Sequence, residues 1–114
     1  MPYLSIQTNR PVGTAEQVDF ARRASALVAR ELGKPESYVM VAFAPQQPMM
    51  FGGNDAPCAY VTLKSIGLPG TLIQGLSQAL CQLLDAALKI PQARVYIEFS
   101  DIKASHWGWN GTTF

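Results

Sequence analysis

Polar and apolar residues alternate from Tyr3 to Thr8, which predicts a strand with Leu4 and Ile6 on one face. From Thr14 the period changes: Val18, Ala21, Ala24, Leu27, Val28 and Leu32 recur at helical spacing, with Asp19, Arg23 and Arg30 on the other side. Thr14 followed by Gln17 has the form of a capping box at the helix start. Gly33 suits the left-handed residue that ends a helix, and Lys34-Pro35 forbids continuation. Tyr38 to Ala44, rich in β-branched and aromatic residues, reads as a second strand.

The same order then repeats without obvious identity: residues 59–64 as strand, 71–88 as helix, 94–100 as strand. In the second helix Leu72, Leu76, Leu80, Leu83 and Ala87 form one stripe, and Gln74, Gln78, Gln82, Asp85 and Lys89 another. Two βαβ units, roughly 2–45 and 58–101, followed by a hairpin segment at 102–114, predict one α/β domain over residues 1–114. Its four-stranded sheet carries two helices on one face and leaves the other face open. The Gly/Pro/Met-rich stretch from Pro45 to Pro57 is long enough to be functional or interfacial. Near the end, Asn110-Gly111 is a strong hairpin signal between aromatic flanks, and Trp107, Trp109 and Phe114 call for a surface to dock on.

Composition sharpens this outline. Across 114 residues, Lys+Arg 9 and Asp+Glu 8 make only 15% charged against 48% hydrophobic, where soluble proteins average about 25% charged. A domain this small leaves about a third of its unfolded-chain surface exposed, so self-association is expected. The net charge of +1 is scattered and offers no basic stripe for nucleic acid. No apolar run approaches the roughly 20 residues that cross a bilayer, and the N-terminus lacks the pattern of a signal peptide. A cytoplasmic protein is expected. Cys58 and Cys81 form no C-x-x-C pair, and the single His106 provides neither a metal set nor the usual partner of a Ser or Cys nucleophile. Gly52-Gly53 and Gly67-Leu68-Pro69-Gly70 match no phosphate loop.

The remaining candidate is Pro2. Once Met1 is removed it offers a secondary amine, which serves as a general base near neutral pH if burial and a nearby cation lower its pKa.

Met1-Pro2-Tyr3-Leu4, Gly33-Lys34-Pro35, Met50-Phe51-Gly52-Gly53, Lys64-Ser65-Ile66-Gly67, Arg94-Val95-Tyr96-Ile97, Gly108-Trp109-Asn110 and the terminal Thr113-Phe114 run in order along the chain. Together they resemble the macrophage migration inhibitory factor family of the tautomerase superfamily. The resemblance implies a homotrimer of βαβ-βαβ subunits around a central channel, with active sites at subunit boundaries. It implies keto–enol tautomerisation of phenylpyruvate-like α-keto acids, in some members of dopachrome derivatives, without a metal or organic cofactor. By motif, Pro2 matches the catalytic amine and Lys34 the lysine that binds the substrate carboxylate. Ile66 matches a position whose backbone N–H contacts substrate, and Tyr96 and Trp109 match pocket aromatics, Tyr96 from a neighbouring subunit. Taken singly, Lys34 also suits a helix C-terminus, Ile66 a core position and Tyr96 packing within a strand.

Two departures stand out. Glu98 occupies a position where vertebrate relatives carry an Asn that contacts the substrate's distal hydroxyl, so substrate choice or pH profile should differ. Cys58-Ala59-Tyr60-Val61 replaces the Cys-Ala-Leu-Cys of the cytokine members, so their proposed thiol-oxidoreductase activity should be absent. Lys64 and Tyr3 also differ from the vertebrate residues beside the site. The alternative function is a secreted, cytokine-like immunomodulatory or receptor-binding protein with a vestigial or incidental pocket, exported by a non-classical route. No residue identifies a receptor.

Overall fold

The computed structural model describes residues 1–114. Its first strand, β1 (Tyr3–Thr8), runs through the interior of a four-stranded sheet of order β2-β1-β3-β4. Here β2 is Met40–Ala44, β3 is Ala59–Ile66 and β4 is Val95–Ile102. Each βαβ unit makes a parallel pair, β1 with β2 and β3 with β4, and the two pairs join through an antiparallel β1–β3 ladder. The crossovers are α1 (Thr14–Leu32) and α2 (Ile73–Leu88), packed against each other and against one sheet face.

Period-two alternation decides which side chains that face takes. Leu4, Ile6, Val61 and Leu63 are buried beneath the helices, joined by Leu76, Leu80, Leu84 and Leu88 from α2. Thr8 lies on the same buried face, and its Oγ1 donates to the Cys58 carbonyl at 2.7 Å, so its hydroxyl is satisfied. Tyr3, Ser5 and Gln7 point to the opposite face, as do Tyr60, Thr62, Lys64, Tyr96 and Glu98 by register. No element of the chain covers that face.

Several local expectations are corrected. The buried face of α1 is Phe20, Ala24, Leu27 and Val28, and Val18 is 54% exposed. Phe20 wins the inward position because it meets Phe43 of β2, with ring centroids 5.1 Å apart. Thr14 is not a cap: Gly13 is the N-cap with no side-chain bond, and Gln17 Nε2 donates instead to the Val12 carbonyl at 2.8 Å. Tyr38 and Arg94 end short 3-10 turns, Glu36–Tyr38 and Gln92–Arg94, rather than lying in strands. Thr71 sits in a 3-10 turn, Gly70–Leu72, that leads into α2.

Gly33 does terminate α1 in the left-handed region, with φ of 63°. The C-terminal hairpin pairs β5 (Gly108–Trp109) with β6 (Thr112–Thr113). Its turn places Asn110 and Gly111 at φ of 52° and 80°, the two positive values that a tight hairpin turn of this hand requires.

The inward face of α1 has a direct test. Phe20→Ala should cost about 3–5 kcal/mol in denaturant unfolding, and Val18→Ala less than about 0.5 kcal/mol. Equal losses would mean that the helix is rotated from the orientation described.

Candidate active site

The start of β1 is a crowded corner. Pro2 is buried, and its carbonyl accepts from the Met40 N–H at 3.0 Å, which extends the β1–β2 pairing to the chain terminus. The β1–β3 register ends at Tyr3 opposite Lys64. Continued by two places, it sets Ser65 beside Pro2 and Ile66 beside Met1.

Lys34 reaches the same corner from the end of α1. The left-handed Gly33 turns the chain back, and the Lys34 N–H closes the helix by donating to the Ala29 carbonyl at 3.0 Å. The side chain then lies along β3, where Nζ donates to Ser65 Oγ at 3.1 Å and to the Ile66 carbonyl. An ammonium has three donors, and the third serves the chain-terminal amine. The resemblance expects an N–H from Ile66; the structure also gives its carbonyl a task, as an anchor for Lys34.

A cavity of about 330 Å³ opens here, lined among others by Met1, Pro2, Tyr38, Met40, Trp109 and Phe114. Its aromatic wall is self-supporting. Trp109 stacks on Phe114 at 5.6 Å, and Tyr38 meets both edge-on at 6.2 and 6.5 Å. The terminal aromatics therefore dock partly within their own chain, although Trp109 stays 52% exposed.

The electrostatics suit a neutral amine. Burial, and then the charge and hydrogen bonding of Lys34, hold the Met1 amine below the ordinary range of a chain terminus. In the full chain the Pro2 nitrogen is an amide and has no basic lone pair. Removal of Met1 moves the free amine one residue deeper into this corner.

Tyr96 and Glu98 lie elsewhere. Lys64 is opposite both Tyr3 and Ser100, so Tyr96 is two strands across and several residues along from Pro2, roughly 15–20 Å away. Tyr96 is 65% exposed and rests on Phe51, with centroids 4.8 Å apart. Arg94 holds this arrangement: its guanidinium lies 5.1 Å from the Phe51 ring centre and donates to the carbonyls of Phe51, Asn54, Ala56 and Pro57. From the other side Asn9 Nδ2 donates to the carbonyls of Asp55 and Ala56. The long loop is thus fixed by carbonyls that have no sequence signature. Tyr60 Oη donates to Glu98 Oε1 at 3.0 Å.

Pro2, Lys34, Ile66 and Trp109 are therefore gathered at one corner, and Tyr96 and Glu98 at another. Sequence reasoning missed Tyr38, Ser65, Tyr60 and the role of Arg94. Only Tyr38, an aromatic just after the Lys34-Pro35 break, had a readable signal. No group of three His, Cys, Asp or Glu side chains converges to hold a metal, and no helix is long and apolar enough to cross a membrane.

The Tyr60–Glu98 bond has a measurable signature. Its hydrogen bond to Glu98, with burial and the carboxylate charge adding, raises the Tyr60 pKa above the ordinary phenol value. A folded-state pKa that is raised stabilises the fold below the unfolded value, about 10, and that contribution disappears as pH climbs through the folded value. In ultraviolet titrations Tyr60→Phe should remove a phenol from the late-titrating group; loss of one that titrates in the ordinary range would contradict the bond.

Residues 1–114 match the family model described as Macrophage migration inhibitory factor (MIF). The chain is 47% identical to a macrophage migration inhibitory factor homolog of Brugia malayi, covering 100% of this chain and 99% of that one. It is 38% identical to macrophage migration inhibitory factor of Mus musculus over the same shares. The crystal structure of a homologue from Prochlorococcus marinus superposes with a TM-score of 0.93 at 41% identity, covering 98% of each chain. On whole-length sequence and fold alike, this chain belongs to the macrophage migration inhibitory factor family.

Proposed function

We propose that the protein is a cofactor-independent keto–enol tautomerase of phenylpyruvate-like α-keto acids, with Pro2 as its base once Met1 is removed. The family includes tautomerase and cytokine-like members. The observation that carries the enzymatic reading is the buried Pro2 beside an anchored Lys34 ammonium, at the edge of an aromatic-walled cavity.

The chemistry follows from the parts. The neutral Pro2 amine takes the proton α to the keto group, and electrons move onto the carbonyl oxygen to give the enolate. In the processed chain the third donor of Lys34 and the Ile66 N–H hold the substrate carboxylate, and the lysine charge offsets the developing negative charge. The protonated amine then returns its proton to oxygen or to carbon, and either direction leaves the enzyme unchanged. Tyr38, Trp109 and Phe114 shelter the substrate ring.

Tyr96 and Glu98 join this pocket only from another copy. A sheet with an uncovered face and the two halves of a site at separate corners favours head-to-tail contacts, which close into a ring. A homotrimer with pockets at its subunit boundaries is the form proposed, in the cytoplasm, with a small α-keto acid as ligand. A secreted cytokine-like role is the second reading. It rests on the names of relatives and on no residue of the pocket.

Three preparations with N-termini verified by intact mass test the base. Relative to the processed chain, Pro2→Gly and a form retaining Met1 should lose about 10²-fold or more in ketonisation of enol-phenylpyruvate. Equal rates in all three, or an inactive processed chain, would overturn the mechanism. Lys34→Ala should raise KM and lift the pH limb for the free base, because removing a positive neighbour lets the amine hold its proton to higher pH. A limb that stays in place would remove Lys34 from the tuning.

The shared pocket has its own test. Coexpressed Pro2→Gly and Tyr96→Ala chains should form mixed assemblies more active than either variant alone, since some boundaries regain two intact halves. No gain would place the whole site within one chain.

A further inference from the structure

The carbonyl that anchors Lys34 belongs to the last residue of β3, and the group that aims it lies outside the pocket. The Ile66 carbonyl accepts from Lys34 Nζ and, at 3.2 Å, from Ser65 Oγ, so both of its lone pairs are engaged. Its direction is tied to the next residue, because the Ile66 C=O and the Gly67 N–H share one rigid peptide plane. Gly67 is left-handed, with φ of 63°, and turns the chain so that Leu68 enters the core at 4% exposure. That burial takes the Leu68 N–H away from water. Asp101 supplies the acceptor, with Oδ1 at 3.0 Å from the Leu68 nitrogen. The parallel β3–β4 register brings it there, setting Asp101 opposite Ser65 on the helix-bearing face. Asp101 belongs to neither ion pair of the chain, Asp19–Arg23 or Glu31–Arg30, and the Leu68 amide is the one partner of its carboxylate.

We propose that Asp101 is a positioning residue for substrate binding: by fastening the turn after β3 it fixes the Ile66 carbonyl, and through it the Lys34 ammonium that meets the substrate. This rests on the tautomerase reading. The route is short. Asp101 holds the Leu68 amide, the amide and the buried Leu68 side chain fix the Gly67 turn, and the turn aims the carbonyl. Without Asp101 a buried N–H is left unpaired, and the turn relieves it by swinging the amide toward water. The Ile66 carbonyl moves with it, so the substrate meets a cation that must be ordered as it binds. Holding the carboxylate is common to the ground and transition states, so the loss falls on KM rather than on kcat. Asp101 touches no reacting atom, and its task requires an acceptor rather than a charge.

The test measures kcat and KM for enol-phenylpyruvate, together with amide hydrogen exchange at Leu68, in the processed wild type, Asp101→Ala, Asp101→Asn and Gly67→Ala. Asp101→Ala should raise KM about tenfold while kcat stays within about threefold, and exchange at Leu68 should quicken by about tenfold or more. Asp101→Asn retains an acceptor oxygen, and both KM and exchange should stay within about threefold of the wild type. A Cβ at Gly67 meets no packed neighbour within 4 Å, so Gly67→Ala acts through the left-handed backbone alone; it should raise KM by about threefold or more. A KM unmoved by Asp101→Ala in a wild type that turns over would overturn the proposal alone. So would an Asp101→Asn that behaves like Asp101→Ala, because the charge and not the acceptor would then be responsible. Should Asp101→Ala fail to fold, Gly67→Ala decides: an unmoved KM would remove the turn as the link to Lys34. No turnover by the processed wild type would overturn the tautomerase reading and this one with it.

Discussion

The corner at the start of β1 depends on where the Lys34 ammonium finds its acceptors. A half-buried cation is costly unless its donors are satisfied, and here the end of β3 supplies Ser65 Oγ and the Ile66 carbonyl. That pair of bonds ties the helix-to-strand connection of the first βαβ unit to the first strand of the second. It also fixes a positive charge beside the start of β1, because β1 and β3 share a ladder that ends at Tyr3 and Lys64. The left-handed Gly33 makes the reach feasible: it stops α1 and redirects the next residue toward the sheet.

The topology has a second consequence. With order β2-β1-β3-β4 and both helices on one face, the chain terminus lies near the β2 edge while Tyr96 and Glu98 project from β4 at the opposite edge. A single sheet cannot fold those edges together. Its uncovered face carries Met40, Tyr60 and Tyr96, all partly or largely exposed, in a chain with few charges. On the proposed reading, burial of that face and completion of the pocket are the same requirement, and a closed ring of copies meets both.

Much of this architecture was legible because it is periodic. Strand alternation at Leu4 and Ile6, the leucine stripe of α2 and the Gly33 stop all depend on neighbours in sequence. The failures depend on distant partners. Val18 and Phe20 are both apolar near the start of α1, and the choice between them is made by Phe43 across the core. The Thr14–Gln17 pattern looked like a cap, but the chain enters the helix one residue earlier, at Gly13. Arg94 read as a strand residue since its acceptors are backbone carbonyls, which any sequence supplies. Glu98 was visible as an odd carboxylate; its partner Tyr60 becomes apparent only through the parallel β3–β4 register.

Lys34 has two tasks on the tautomerase reading, and they are coupled. Without ligand its charge, added to burial, pushes a neighbouring amine toward the neutral form, so the base is free at lower pH than an exposed amine would be. When a substrate carboxylate meets Lys34, part of that charge is neutralised and the repulsion weakens. The amine becomes a stronger base in the complex, where a proton is to be taken. Burial persists, so the tuning is only partly undone. The difference between the pH dependence of kcat/KM, which reports the free enzyme, and that of kcat, which reports the complex, measures this coupling. On this reading a single lysine anchored by Ser65 and Ile66 adds to burial in favouring the neutral base while it waits, and lets the base strengthen when the substrate arrives.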